Sequence, residues 1–214
     1  MHNDYMRGRF NPPGRTVLDQ KKAYGYMGHE LMNSTCGVMG YGRIGKLVVK
    51  KALGLDMHVL VYDPFLCGKV ELPEGAAWAA TLEELLPNCD FVSLNMPATK
   101  DTIGMINKDT LKMMKPTAYL VNEARGDIIV EEDMAWALNN GIIAGAALDC
   151  NEPEPLPFGH IYRACKNVIL TPHIGGYTAE AHLNLEMTSA RSVIEALSGQ
   201  VPSNCVNLKE LGLA

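Results

Sequence analysis

The run Cys36-Gly37-Val38-Met39-Gly40-Tyr41-Gly42-Arg43-Ile44-Gly45-Lys46, followed by Val59-Leu60-Val61-Tyr62-Asp63-Pro64, constrains the fold of this chain more than any other stretch. It sets three glycines at G-x-G-x-x-G spacing between an apolar run and an amphipathic one, with a carboxylate at the end of the next apolar run. That is a strand–helix–strand unit built around a dinucleotide. Gly40 makes the tight turn out of the strand, Gly42 lets the backbone approach a pyrophosphate, and Gly45 lets the helix pack closely on the sheet. The phosphates then sit on the helix N-terminus, where unpaired N–H groups and the helix dipole favour negative charge. Asp63 is placed to accept hydrogen bonds from an adenosine ribose and to repel a 2′-phosphate, which favours NAD over NADP. A lone glycine triplet is weak evidence, and its weight here comes from its flanks. Residues 35–39 are short, apolar and bounded by glycine, and residues 44–53 repeat apolar side chains at helical spacing up to Gly54. The competing reading, a solvated strand-end Asp63 before a proline turn, leaves the glycines upstream unexplained.

From Thr35 onward strand and helix signals alternate. Strands are expected at 58–62, 91–94, 118–122, 144–149 and 168–170. Helices are expected after the capping box Thr81-Leu82-Glu83-Glu84, over 107–114 up to Pro116, over 131–139 up to Gly141, and over 179–197. Repeated β-α units with right-handed crossovers predict an α/β fold, a Rossmann-type doubly wound parallel sheet with helices on both faces. Ligands of such sheets bind at the carboxyl ends of the strands, and Asp63, Asn95, Asn122, Arg125, Asp149 and His173 all fall at or just after predicted strand ends. The expected organisation is an irregular or helical arm over residues 1–30, a nucleotide-binding domain over 31–178, and a helix with an irregular tail over 179–214 that would pack on a substrate domain.

The net charge of −5 argues against non-specific nucleic-acid binding, which needs a basic face to displace counterions. Arg7, Arg9, Arg15, Lys21 and Lys22 make the first segment basic, at a density typical of a solvated arm. The six cysteines form no C-x-x-C pair and no zinc-like spacing, so reduced thiols and a cytoplasmic location are expected. No apolar run is long enough to cross a bilayer, and no charged-then-apolar leader follows Met1. Glu180, His182 and Glu186 lack a full ligand set and read as a solvated helix face, so no metal is expected.

Three further stretches converge on a family: Val121-Asn122-Glu123-Ala124-Arg125-Gly126-Asp127, then Gly145-Ala146-Ala147-Leu148-Asp149-Cys150-Asn151-Glu152-Pro153-Glu154-Pro155, then Thr171-Pro172-His173-Ile174-Gly175-Gly176. With the glycine loop, and in this order, they resemble the D-isomer-specific 2-hydroxyacid dehydrogenases. The resemblance implies hydride transfer between NAD(H) and a 2-hydroxy or 2-keto acid. It puts Arg125 on the substrate carboxylate, where a planar guanidinium offers a fixed fork of donors. It makes His173 the general acid and base, and gives Glu154, in preference to Glu152, the task of stabilising the imidazolium. It also implies cofactor contacts from Gly40, Gly42, Gly45 and Asp63, from the backbone of Arg43 and Ile44, from Pro97 and Thr102, and from Glu123, Asp149 and His173 near the nicotinamide. Glu123 departs from the small or neutral residue usual at its place. Each role has a bland counterpart: a surface arginine, a loop histidine, one charge in an acidic turn. Their arrival in order behind a nucleotide fingerprint is what disfavours the bland set.

Family members also carry roughly 100 further residues, the size of one small domain, ahead of the cofactor domain. The expectation is therefore a cofactor domain that keeps Arg125, Glu154 and His173 but lacks the cap that holds substrate. Two functions of different class follow, a dehydrogenase or a catalytically silent NAD-binding and dimerisation module. The proline-bearing segment from Tyr5 to Tyr26 is expected to contribute to a homodimer interface.

Overall fold

The computed structural model describes residues 28–208 and 210–212. The arm over the first 27 residues, and with it the dimer segment from Tyr5 to Tyr26, lies outside the described residues. Seven strands form one parallel sheet: β1 (Thr35–Met39), β2 (His58–Tyr62), β3 (Ala76–Trp78), β4 (Phe91–Leu94), β5 (Tyr119–Asn122), β6 (Gly145–Leu148) and β7 (Val168–Leu170). Their spatial order is β3-β2-β1-β4-β5-β6-β7, so the chain reverses its direction of travel between β1 and β4. In doubly wound sheets the ligand crevice lies at such a reversal, beyond the strands' carboxyl ends.

Helices α1 (Arg43–Leu53), α2 (Leu82–Leu85), α3 (Lys108–Met113) and α4 (Glu131–Asn139) connect the strands, and α5 (Ala179–Leu197) follows them. Alternation along each strand divides the interior in two. Val38, Val59 and Val61 face α1 and pack with its Val49 and Ala52. Met39, Leu94, Leu120 and Leu148 face the other way, against Leu85 of α2, Leu111 of α3 and Met134 and Leu138 of α4. Each such leucine, withdrawn from water on that face of the sheet, contributes about 1.5–3 kcal/mol. The doubly wound sheet with covered faces read from the sequence is the fold observed.

Helix ends follow their caps. Asn107 caps α3 in a reciprocal box with Thr110. Thr81 caps α2 by accepting from the Glu84 N–H, while Glu84 reaches back to the Ala80 N–H rather than to that of Thr81. Gly54 closes α1 while staying right-handed (φ −68°), and the left-handed residue comes two positions later, at Asp56 (φ 56°). The edge strand β3 is an addition to the expected set. It is three residues long, pairs only with β2, and is steadied by the Trp78 indole N–H donating to the Val70 carbonyl. Among the described residues no helix is long and apolar enough to cross a membrane.

Candidate active site

The glycine loop leaves β1 at the sheet reversal. Gly40 has φ +91°, a left-handed conformation, and a Cβ there would lie 2.9 Å from the Asn95 carbonyl oxygen on β4's side of the crevice. Gly45 is tighter: a Cβ there would meet the Gly40 carbonyl oxygen, so α1 stands against its own entry loop. Gly42 is different in kind. A Cβ there would meet nothing within 4 Å, so no protein contact demands glycine at that position. A backbone kept bare where the protein does not need it bare leaves room for an approaching pyrophosphate, and the N-cap is compatible with one. Gly42 brings no side-chain acceptor and the first turn of α1 holds no acidic residue, leaving the N–H groups of Arg43 and Ile44 for a ligand.

Asp63 follows β2 and ties this loop together. Its Oδ2 accepts from the Tyr41 N–H at 2.9 Å and its Oδ1 from the Phe65 and Leu66 N–H groups at 3.0 and 3.1 Å. Oδ2, with one donor, still has acceptor capacity for a ribose hydroxyl, whereas Oδ1 already accepts two. Across the crevice, the turn after β4 is closed by Thr102, whose hydroxyl donates to the Pro97 carbonyl at 2.6 Å and accepts from the Thr99 N–H at 2.8 Å. Pro97 and Thr102 thus belong to one turn facing the glycine loop's strand.

The second half of the site hangs on β5, β6 and β7. Asn122, fully buried at the end of β5, accepts from the Ala124 N–H and donates to the Arg125 carbonyl, folding the chain back so that Arg125 leaves the sheet. The Arg125 guanidinium also donates to the Ala124 carbonyl at 2.6 Å. Gly126 brings this turn against the next one: a Cβ there would collide with the Asn151 carbonyl carbon and lie 2.6 Å from the Glu152 nitrogen. Asn122 was legible as a strand-end polar residue, but Gly126 did not stand out as a site residue in the sequence, because its partner is a turn that it meets only in the fold.

Asp149, buried just past β6, holds the His173 segment. Its carboxylate accepts from the Thr171 hydroxyl, the Ile174 N–H at 2.9 Å and the Gly175 N–H at 2.8 Å, and its carbonyl accepts from the His173 N–H at 2.9 Å. Burial alone would raise the Asp149 pKa, but these donors together pull it below its ordinary value. They also hold His173 at φ 55°, a left-handed conformation that costs a β-carbon residue about 1–2 kcal/mol. Held there, His173 Nδ1 meets Glu154 Oε2 at 2.8 Å, while Glu154 Oε1 accepts from the Asn151 N–H at 3.1 Å. The His173 hydrogen bond is the chief reason the Glu154 pKa is lowered, with Asn151 and the Arg125 charge adding to it against slight desolvation. Both side chains of the pair remain about half exposed, at 48% and 40%. Glu123 is exposed, and its carboxylate crowds the same glycine as Asp149: a Cβ on Gly175 would lie 3.1 Å from Asp149 Oδ2 and 3.4 Å from Glu123 Oε2.

A glycine-loop crevice and an Arg–His–Glu cluster on one sheet edge are the geometry. Residues 5–175 match the model of the D-isomer specific 2-hydroxyacid dehydrogenase family, NAD binding domain. The chain belongs to that family. It is 42% identical over 182 residues to a glyoxylate reductase of Pyrococcus furiosus, covering 85% of this chain and 54% of the relative. It is 38% identical over 186 residues to a D-3-phosphoglycerate dehydrogenase of Archaeoglobus fulgidus, covering 87% and 35%. Among solved structures it resembles an NAD-dependent formate dehydrogenase of Staphylococcus aureus in complex with NAD, with a TM-score of 0.79, 28% identity, and coverage of 94% and 59%. The chain spans about half the length of the glyoxylate reductases it matches. As a family member it carries the NAD-binding domain, and the bare Gly42 backbone at the start of α1 fits that cofactor.

Proposed function

We propose that the chain serves an oxidoreductase that transfers a hydride between NAD(H) and a D-2-hydroxy acid or the matching 2-keto acid. The observation that carries this reading is the 2.8 Å contact between His173 and Glu154, within reach of the Arg125 charge, beyond the carboxyl ends of β5, β6 and β7 in the sheet whose β1 leads into the glycine loop. When bound, NADH supplies the hydride from nicotinamide C4. The protein's part is positional and protonic. Arg125 receives the substrate carboxylate on a charged fork. His173, bound to Glu154 through Nδ1, keeps Nε2 for the substrate oxygen, to which it gives a proton in reduction and from which it takes one in oxidation. Glu154, its pKa lowered chiefly by the His173 hydrogen bond, is ionised and stabilises the imidazolium. The relatives named as glyoxylate reductase and D-3-phosphoglycerate dehydrogenase make small 2-keto acids the first substrates to try.

The domain division at residues 30 and 178 belongs to the same proposal. It is supported by α5, in which no residue is buried and Leu183, Leu185, Ile194 and Leu197 are exposed, as suits a helix that packs on the substrate-binding part of the enzyme. A cytoplasmic location is supported by six free cysteines. A homodimer formed through the segment from Tyr5 to Tyr26 belongs to the same proposal, and a monomeric mass unchanged by deleting residues 1–27 would overturn it. The half-exposed His173 and Glu154 favour a second reading, a silent NAD-binding module, because hydride transfer needs water excluded.

NADH oxidation against a panel of 2-keto acids decides between them, with NADH binding followed by fluorescence in the same samples. His173→Asn is the control of choice, since Asn tolerates the left-handed backbone that Ala does not. Turnover lost in His173→Asn with binding retained supports the dehydrogenase. Binding without turnover in the wild type supports the silent module.

A further inference from the structure

The acid–base pair has a third neighbour that its chemistry does not use. One ligand atom each from Cys150, Glu154 and His173 lies within 4.8 Å of the other two. The three are spread over 23 positions of sequence and form no recognisable ligand spacing, so only the fold brings them together. Cys150 is buried at the floor, while His173 and Glu154 stand half open above it.

We propose that Cys150, Glu154 and His173 form a binding site for a thiophilic divalent cation, of which zinc is the probe, and that occupancy switches off the acid–base pair. The donor set is sulfur, nitrogen and oxygen, which selects zinc or cadmium over magnesium or calcium. Three protein ligands and one open position occupied by water is a common zinc arrangement. In a tetrahedral site the donors stand about 3.3–3.8 Å apart, given bonds of about 2.0–2.3 Å, so rotation of the two exposed side chains by about 1 Å completes the set. Glu154 is already ionised, and the cation takes a lone pair of the His173 imidazole. At Cys150 the S–H bond breaks, the proton passes to solvent, and a sulfur–metal bond forms. Burial and the Glu154 and Asp149 carboxylates hold the free thiol's pKa up at about 11, which also leaves it unreactive until a metal arrives. With its imidazole and carboxylate committed to the cation, the pair can no longer move a proton. Metal binding goes beyond the oxidoreductase reading, and only its inhibitory consequence rests on that reading.

The test is cadmium and zinc titration of the full chain, with magnesium as control. One cadmium per chain should raise an ultraviolet thiolate-to-metal charge-transfer band that zinc competes away and magnesium does not. The band should vanish in Cys150→Ala and Cys150→Ser while NADH fluorescence shows both folded, and zinc affinity should fall at least ~100-fold in Glu154→Gln. Zinc X-ray absorption on the unaltered chain gives a readout independent of any variant: one sulfur at about 2.3 Å with nitrogen and oxygen neighbours. A band that survives in the Cys150 variants would assign the metal to Cys67, Cys165 or Cys205 and overturn the proposal, as would no one-to-one binding or no sulfur neighbour. Where the chain turns over, zinc should inhibit the wild type and spare Cys150→Ser. Metal binding without turnover would sink the oxidoreductase reading and leave the site standing.

Discussion

The same substitution at two glycines of one loop separates what the fold needs from what the cofactor needs. At Gly45 an added methyl would fall far inside contact distance of the Gly40 carbonyl oxygen, and both partners are backbone, with no flexible side chain to yield. Helix α1 must therefore move by about 1 Å or more from its entry loop, an overpacking cost of about 1–3 kcal/mol, at its upper end here. The gain in helix propensity returns about 1 kcal/mol. Gly45→Ala should thus lose about 2 kcal/mol net, a melting temperature lower by about 4–8 °C for a chain of this size. At Gly42 the methyl meets nothing within 4 Å, and the backbone at φ −73°, ψ −162° suits any L-residue. Gly42→Ala should hold stability within about 0.5 kcal/mol. It should still weaken NADH binding by about 10–100-fold, because the methyl occupies the approach to the N–H groups of α1 and forfeits a charged hydrogen bond of about 1.5–3 kcal/mol. Thermal melts with and without NADH, with fluorescence titration alongside, measure both effects. A folded Gly42→Ala that binds NADH as the wild type does would refute the assignment of Gly42 to the pyrophosphate, and an unshifted Gly45→Ala melt would refute the packing argument.

Other outcomes follow from the second half of the site. Gly126→Ala drives a methyl into the Asn151 backbone, so it should lower the melting temperature and also depress turnover by separating Arg125 from Glu154. Arg125→Lys keeps the charge and loses the fork; turnover should fall by at least ~10-fold with NADH affinity unchanged, and equal losses in both would place Arg125 on the cofactor instead. Asp149→Asn replaces one acceptor oxygen by a donor that faces the Ile174 and Gly175 N–H groups and the Thr171 hydroxyl, and should cost about 1–3 kcal/mol near neutral pH. Because the folded Asp149 pKa lies below its ordinary value of 3.8, its ionised form stabilises the fold above that value, and the contribution is lost as pH falls through the folded pKa. Melts between pH 3 and 7 should therefore fall more steeply on the acid side for the wild type than for Asp149→Asn.

The strands at 35–39, 58–62, 91–94 and 168–170 and the helices at 131–139 and 179–197 have the bounds that periodicity and caps indicate. They were legible because each carries its own pattern: apolar runs closed by Gly, Pro or Asp, or a helix begun by Thr178 and ended near Gly199. Strand β3 was not, since Ala76, Ala77 and Trp78 become a strand only by pairing with Val59, Leu60 and Val61. The same limit applies at the site. Asp63 was legible as a strand-end carboxylate, but its hydrogen bond across to the Tyr41 N–H was not, and the contact between Cys150 and the His173–Glu154 pair needed β6 and β7 to lie side by side. Sequence spacing shows what repeats locally; it is silent on which turns the sheet will place together.

One regularity ties these observations. The buried polar residues among those described are Asn122, Asp149 and Asn151. Each stands next to a side chain proposed for chemistry: Asn122 folds the turn that bears Arg125, Asp149 holds the His173 loop, and the Asn151 N–H aims Glu154. Burying a polar group is costly unless it is bonded, and two of the three spend their side-chain bonds on backbone of the active loops. Asn151 leaves its side-chain oxygen without a partner among the described residues, and only its N–H is used. Stability and chemistry are thus assigned to different side chains at the same edge of the sheet. Exposed Glu154 and His173 can change with little loss of fold, whereas Asn122 and Asp149 cannot. Asp149 shows how the two sets join. Its carboxylate accepts three donors on two oxygens, which leaves room for about one more. A nicotinamide carboxamide would complete that count, so cofactor binding and the posture of His173 would then be set by one buried group.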